Sequence, residues 1–119
     1  MSTPALRLAR ANAQERFTYL RLMGSFYYDG KETPITVDDR ALAHLKAVML
    51  TKLRRNESFA VSWSNEDGHG RNTIWVNPAV PLRFSFDAPT SPELDPEWLV
   101  QLAEEAVLGG ISFTAKSAG

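Results

Sequence analysis

Three consecutive segments with strand-like side-chain patterns constrain this fold most. Residues 58–64 read Ser-Phe-Ala-Val-Ser-Trp-Ser, so every second side chain is large and apolar. Residues 72–77 are β-prone, and residues 82–87 alternate again. Because successive side chains of a strand point to opposite faces, each segment should form a strand with one buried face. The connections are short, so we predict a three-stranded antiparallel meander over residues 58–87.

Two other segments have apolar residues at every third or fourth position, which predicts helices. The first helix should run from about residue 39 to 54, with Asp38 as its N-cap and Asn56 as its stop. The second should begin after Asp95, another good N-cap, and end at Gly109-Gly110.

Three shorter strands complete the predicted order. Residues 25–28 are aromatic-rich, and Asp29-Gly30 is a turn signal before a second strand at residues 33–37. Pro34 places that second strand at an edge, because proline has no N–H to donate. Residues 111–114 form the last strand. The order β-β-α-β-β-β-α-β predicts an α+β fold, an antiparallel sheet with two helices packed on one face.

Composition limits the function classes. The 119 residues suit one domain, and 44% hydrophobic content suits a globular one. With no cysteine, the chain has no disulfide, thiolate metal site or cysteine nucleophile. No apolar run is long enough to cross a membrane, and we expect a cytoplasmic protein. The net charge of −1 argues against a strongly electropositive nucleic-acid binder.

The charge is unevenly distributed along the chain. Four arginines against one glutamate give residues 1–22 a charge of +3, which leaves −4 for residues 23–119. We predict three parts: an N-terminal extension (1–22), a single α+β domain (23–115) and a frayed tail (116–119). The extension would be an amphipathic helix, because its apolar residues share one helical stripe. That stripe contains Leu6, Ala9, Ala13, Phe17 and Leu20.

Strand alternation also indicates a candidate binding surface. The sheet face away from the helices should carry small polar residues together with two aromatic ones, Tyr27 and Trp75. With Arg83 expected nearby, and Arg71 ending the loop that precedes the Trp75 strand, this face could bind a partner or stack a planar ligand. Two alternatives remain open: the N-terminal helix covers Trp75, or the strand register differs by one residue.

A basic cluster, Lys52, Arg54 and Arg55, ends the first helix. Cations there complement the negative helix terminus, and this is our interpretation of the cluster. The alternative is a set of nucleic-acid contacts.

No catalytic or metal-binding arrangement is evident, and we expect no cofactor. His44 lies at the edge of the first helix's apolar stripe, and we expect it to be solvated or half-buried. His69 lies beside Glu66 and Asp67 in a polar loop. One histidine and two acids in such a loop are a weak ligand set, and we interpret the loop as a hairpin tip. The interpretation leans away from an enzyme.

Six stretches of the chain form a recognisable pattern: Met-Gly-Ser-Phe-Tyr-Tyr-Asp-Gly at 23–30, Ile-Thr-Val-Asp-Asp-Arg-Ala-Leu-Ala-His-Leu at 35–45, Lys-Leu-Arg-Arg-Asn-Glu-Ser-Phe at 52–59, Ser-Trp at 62–63, Gly-Arg-Asn-Thr-Ile-Trp at 70–75 and Pro-Leu-Arg-Phe-Ser-Phe at 81–86. Over nearly all of residues 23–115, the chain resembles a family of short, uncharacterised actinobacterial proteins that often carry an automatic "ATP-dependent DNA ligase" label. Ligase-type nucleotidyl transfer requires a nucleophilic lysine in Lys-x-Asp-Gly. The positions two before Asp29-Gly30 and Asp67-Gly68 are Tyr27 and Asn65, so the resemblance brings no catalytic residue.

The resemblance implies that proteins of this type begin at the residue matching Met23. We therefore expect residues 1–22 to reflect a mis-assigned start, the alternative being a real extension. The sequence predicts a non-enzymatic binding or accessory module whose partner is an unknown protein or small ligand, with no membrane association. The alternative is a nucleic-acid-binding protein associated with DNA repair or ligation.

Overall fold

The computed structural model describes residues 22–30 and 34–116. In this part of the chain the elements follow the predicted order, and the fold class is α+β as predicted. The predicted N-terminal helix lies outside the described residues. The elements are β1 (Met23–Tyr28), β2 (Ile35–Asp38), α1 (Asp39–Arg54), β3 (Phe59–Asn65), β4 (Arg71–Val76), β5 (Leu82–Phe86), α2 (Pro96–Leu108) and β6 (Ile111–Ala115).

The strands form two sheets of three, in the orders β2-β1-β5 and β4-β3-β6. The predicted β1–β2 pair is present, and β2 lies at an edge. The predicted meander over residues 58–87 is wrong, because β5 pairs with β1 and not with β4. We predicted one antiparallel sheet, whereas the strands form two, and these are antiparallel except that β6 runs parallel to β3.

The connection between β4 and β5 explains why the meander does not form. It contains Pro78 and Pro81, and neither residue can donate to a strand ladder. The chain turns there, with the N–H of Val80 donating to the carbonyl of Asn77 at 3.2 Å. The N–H of Asp29, just after β1, donates to the Pro81 carbonyl at 2.9 Å. The turn therefore delivers the following strand to β1 in the other sheet.

The two sheets enclose one core. The buried ring of Phe26 has its centroid 6.2 Å from that of Phe84 in its own sheet. Its centroid lies 6.3 Å from that of Trp63 and 6.1 Å from that of Phe113, both in the other sheet. Such aromatic contacts stabilise a core beyond the apolar area they bury. Along one edge, the N–H of Lys116 donates to the carbonyl of Thr36 at 2.7 Å, which joins β6 to β2.

Helix α1 begins and ends as predicted. The Asp38 carboxylate accepts the Ala41 N–H at 3.1 Å, and Asn56 adopts a φ of 61° after the helix. Leu42 of α1 packs against β1 at Gly24, where an added Cβ would lie 2.6 Å from the Leu42 side chain and 3.0 Å from the Ser85 carbonyl. A glycine in this strand therefore lets the helix lie close to the sheet.

His44 does not occupy the predicted environment. It is completely buried, so the expectation of a solvated or half-buried side chain is wrong. Its Nε2 accepts the backbone N–H of Asp95 at 2.8 Å, and its Nδ1 lies 2.7 Å from the Arg40 carbonyl. Because Nε2 accepts, the proton must be on Nδ1, which donates to that carbonyl. The ring also stacks on Trp98, with centroids 4.1 Å apart.

These contacts connect the two helices at one point. Asp95 is the N-cap of α2, and its carboxylate accepts the N–H groups of Glu97 and Trp98 at 3.0 and 3.5 Å. The same residue's own N–H is held by His44, in the second turn of α1. A single buried imidazole therefore sets where α2 begins relative to α1.

We expect His44→Ala to lower the free energy of unfolding by about 3 kcal/mol, because it leaves a cavity beside Trp98 and an unpaired Asp95 N–H. Urea unfolding measures this loss. His69→Ala is the control, since His69 is exposed and bonds Asn65 and Asp67 through its backbone. Equal stability of the two variants would contradict the assignment, as would a ¹⁵N NMR spectrum showing the Nε2–H tautomer of His44.

A second prediction concerns the adjacent glycines between α2 and β6. Gly110 has a φ of 122°, and an added Cβ would lie 2.9 Å from the Ala60 carbonyl oxygen. We expect Gly110→Ala to cost about 2–3 kcal/mol, because both backbone strain and a backbone clash oppose it. Gly109 has nothing within 4 Å of an added Cβ. Gly109→Ala should therefore change stability by less than about 1 kcal/mol; similar melting temperatures for the two variants would refute this packing.

Candidate functional site

Among the described residues, Trp75 is a large aromatic residue that the fold leaves exposed. It is 58% accessible, whereas the neighbouring Val76 is completely buried, so strand alternation places the indole on the outer face. Its backbone pairs with Ala60 of β3, and its carbonyl accepts the hydroxyl of Tyr28. The backbone beneath the indole is thus held by the β3 ladder on one side and by the Tyr28 hydroxyl on the other.

Small side chains surround Trp75 on this outer face. Ala60 lies directly across the ladder, and Ser62 pairs with Thr73, their hydroxyl oxygens 2.8 Å apart. Ser112 continues the row on β6 as the Cα partner of Ser62. None of these side chains is large enough to cover an indole, so the ring stands above its surroundings.

Tyr27 and Arg83 form a separate feature. They are Cα partners on β1 and β5, and the guanidinium carbon of Arg83 lies 4.9 Å from the Tyr27 ring centroid. Both border a shallow cavity of about 170 Å³ beside Gly30. The sequence placed Arg83 near Trp75 because it predicted a β4–β5 pair. Arg83 and Trp75 instead belong to different sheets, and no strand ladder connects them.

The basic cluster at the end of α1 makes mostly local contacts. Lys52 forms an ion pair with Glu57 at 3.2 Å, and the Arg54 Nε donates to the Leu50 carbonyl at 3.4 Å. Arg55 is the C-cap residue. These positions agree with cations placed at a helix C-terminus. Lys52 and Arg55 line a groove of about 280 Å³ between the helices.

The loop between β3 and β4 is closed by its own hydrogen bonds. The Asn65 side-chain amide donates to the His69 carbonyl at 2.6 Å, and the His69 N–H donates to the Asp67 carboxylate at 2.8 Å. Among the described residues, no group of three or more His, Asp or Glu side chains is placed to hold a metal ion. Arg71 follows the loop as the exposed first residue of β4.

Sequence reasoning missed a cleft beside α1. Asp39 is only 5% accessible, and its Oδ2 accepts the N–H groups of Asp87 and Ala88 at 2.8 and 3.2 Å. Asp39 lines a cavity of about 250 Å³ together with Lys46, whose Nζ lies 5.5 Å from the Phe86 ring centroid. The only signal for Asp39 was a second acid in the first turn of the helix, which the helix dipole already explained.

The described part of the chain contains no helix that is both long and apolar enough to span a membrane. No curated protein and no solved structure matches the chain. A family model matches residues 23–115, from the start of β1 to the end of β6. The chain therefore belongs to the family described as a domain of unknown function (DUF7882).

Proposed function

We propose that this domain is a non-enzymatic binding module and that Trp75 anchors its partner. The observation that carries the proposal is a 58% exposed indole fixed on a strand whose backbone is held by Ala60 and Tyr28. Tryptophan is enriched among the few residues that dominate binding energy, particularly where rigid surroundings reduce the entropy lost on binding. The proposal takes the module to be cytoplasmic, as the sequence led us to expect.

The position of β4 favours a protein partner that binds in an extended conformation. β4 lies at the edge of the sheet β4-β3-β6, and the edge of a sheet can accept an added strand. The Trp75 carbonyl is turned away from β3, since it accepts the Tyr28 hydroxyl. By alternation, the backbone groups of Thr73 and Arg71 also face that edge. An added strand would pair there while its side chains pack beside the indole.

Nucleic-acid binding is the second candidate function. It is favoured by the exposed aromatic ring of Trp75 and the cation of Arg71 on one strand, a combination that suits stacking on single strands. The charge distribution opposes it, because residues 23–119 carry a net charge of −4. In addition, Lys52 is already paired with Glu57.

We expect Trp75→Ala to leave the melting temperature within a few degrees of wild type, because the exposed ring contributes little packing. It should weaken partner binding at least tenfold, the loss typical of a binding anchor. Val107→Ala, a 72% exposed position on α2, is the matched control. Quantitative affinity capture with the three proteins identifies partners that depend on Trp75, and calorimetry with the purified partner measures the affinities.

Two outcomes would contradict this proposal. A large drop in melting temperature for Trp75→Ala would make the indole a structural residue, and unchanged affinity would exclude it as an anchor. Fluorescence anisotropy with labelled single-stranded DNA tests the alternative. Binding that requires Trp75 and weakens steeply with added salt would favour the nucleic-acid function over a protein partner.

A further inference from the structure

The cleft beside α1 lies under a loop whose two ends are held by side chains of that helix. Asp39 accepts the N–H groups of Asp87 and Ala88, where the loop leaves β5, at 2.8 and 3.2 Å. His44 accepts the N–H of Asp95, where the loop reaches α2, at 2.8 Å. Both anchoring side chains are buried. The loop is therefore positioned before any ligand arrives, which lowers the entropy lost on binding.

The walls of this cleft are largely apolar. Ala43 and Ala47 lie on one side of α1, four residues apart, and their small side chains leave room above the helix. Phe86 borders the cleft from β5, and Pro89 and Pro92 border it from the loop. The cavity of about 250 Å³ is smaller than the roughly 300–1,000 Å³ of sites for drug-sized molecules. It therefore suits a small ligand with a flat apolar body, such as a single aromatic ring.

One cation borders this apolar space. The Lys46 Nζ lies 5.5 Å from the centroid of the Phe86 ring, within the range at which an ammonium is attracted to an aromatic face. Lys46 is half-buried, and none of the described residues forms an ion pair with it. A partly desolvated ammonium is stabilised by an anion with which it can make a charge-assisted hydrogen bond. Lys46 therefore favours a ligand with a negatively charged group.

Asp39 sets the orientation of such a ligand. It lies seven residues before Lys46, which is about 10 Å along the axis of an α-helix. Its negative charge is partly offset by the N–H groups of Asp87 and Ala88 and by the positive N-terminus of α1. An anionic group is therefore most favourable at the Lys46 end of the cleft, with the apolar body extending along Ala43.

We propose that this cleft binds a small aromatic carboxylate. The carboxylate group pairs with Lys46, and the ring lies between Ala43 and the two prolines of the loop. The cleft is formed by α1, β5 and the loop after β5, whereas Trp75 belongs to β4. The inference is therefore independent of the proposed function, because a module that binds its partner through Trp75 would carry this cleft as a second site.

An NMR titration of the ¹⁵N-labelled full chain tests the proposal. The probes are phenylacetate, 3-phenylpropanoate and 4-phenylbutanoate, which differ only in the distance between ring and carboxylate. We expect at least one of them to cause saturable shifts in the amide signals of Lys46, Phe86 and residues 88–94, while the signals of β4 stay unchanged. The matching neutral amide should bind at least about fivefold more weakly, because it lacks the charge that pairs with Lys46.

Three results of this titration would overturn the proposal. They are the absence of saturable shifts with all of the acids, shifts centred on another part of the domain, and equal affinity for an acid and its amide.

Variants of α1 test the two parts of the site separately. Lys46→Met removes the charge and should weaken binding of the acid at least about fivefold without changing binding of the amide. Lys52→Met removes a cation from the same helix outside the cleft and should bind the acid as wild type does. Ala43→Leu fills the cleft and should abolish binding while the melting temperature stays within a few degrees of wild type. Equal affinities of Lys46→Met and Lys52→Met, or retained binding by Ala43→Leu, would overturn the proposal.

Discussion

The hydrogen bond from the Asp95 N–H to the buried imidazole of His44 fixes the relation between the two helices. Asp95 caps α2, and Trp98 in the first turn of α2 stacks on the same imidazole. The guanidinium carbon of Arg40 also lies 5.3 Å from the centroid of the Trp98 ring. Because both the start of α2 and its first aromatic residue contact His44, the position of α2 on the sheets depends on one neutral imidazole. The cleft beside Asp39 depends on it too, since the cleft's loop runs directly into α2.

Local patterns in the sequence predict the helices and strands well. They do not predict which strands pair, or which residues distant in the chain come into contact. The periods of two and 3.6 residues locate the strands and helices, and Asp38 and Asp95 mark both helix starts. The pairing of β5 with β1 joins segments far apart in the chain, and nothing in the alternation of residues 82–86 distinguishes β1 from β4 as the neighbour. For His44, the deciding partner lies 51 residues further along the chain.

The candidate site residues show the same difference between local and long-range features. The outward position of Trp75 follows from strand alternation alone, because the period of two fixes which side chains share a face. Its expected proximity to Arg83 required the correct strand order, and it failed with the meander. The burial of Asp39 depends on the loop after β5 folding back over α1, an arrangement that no local pattern of residues encodes.

The parallel pairing of β6 with β3 has a consequence for how the domain assembles. β6 is the last strand of the described residues, yet it occupies one side of β3 and reaches β2 through the bond from Lys116 to Thr36. During synthesis, a chain that has emerged only as far as α2 therefore carries β3 with one open edge. Open edges favour pairing with other chains, and contacts between distant segments slow folding. During synthesis, this domain is therefore prone to pair with other chains until residues 111–116 have emerged and covered the open edge of β3.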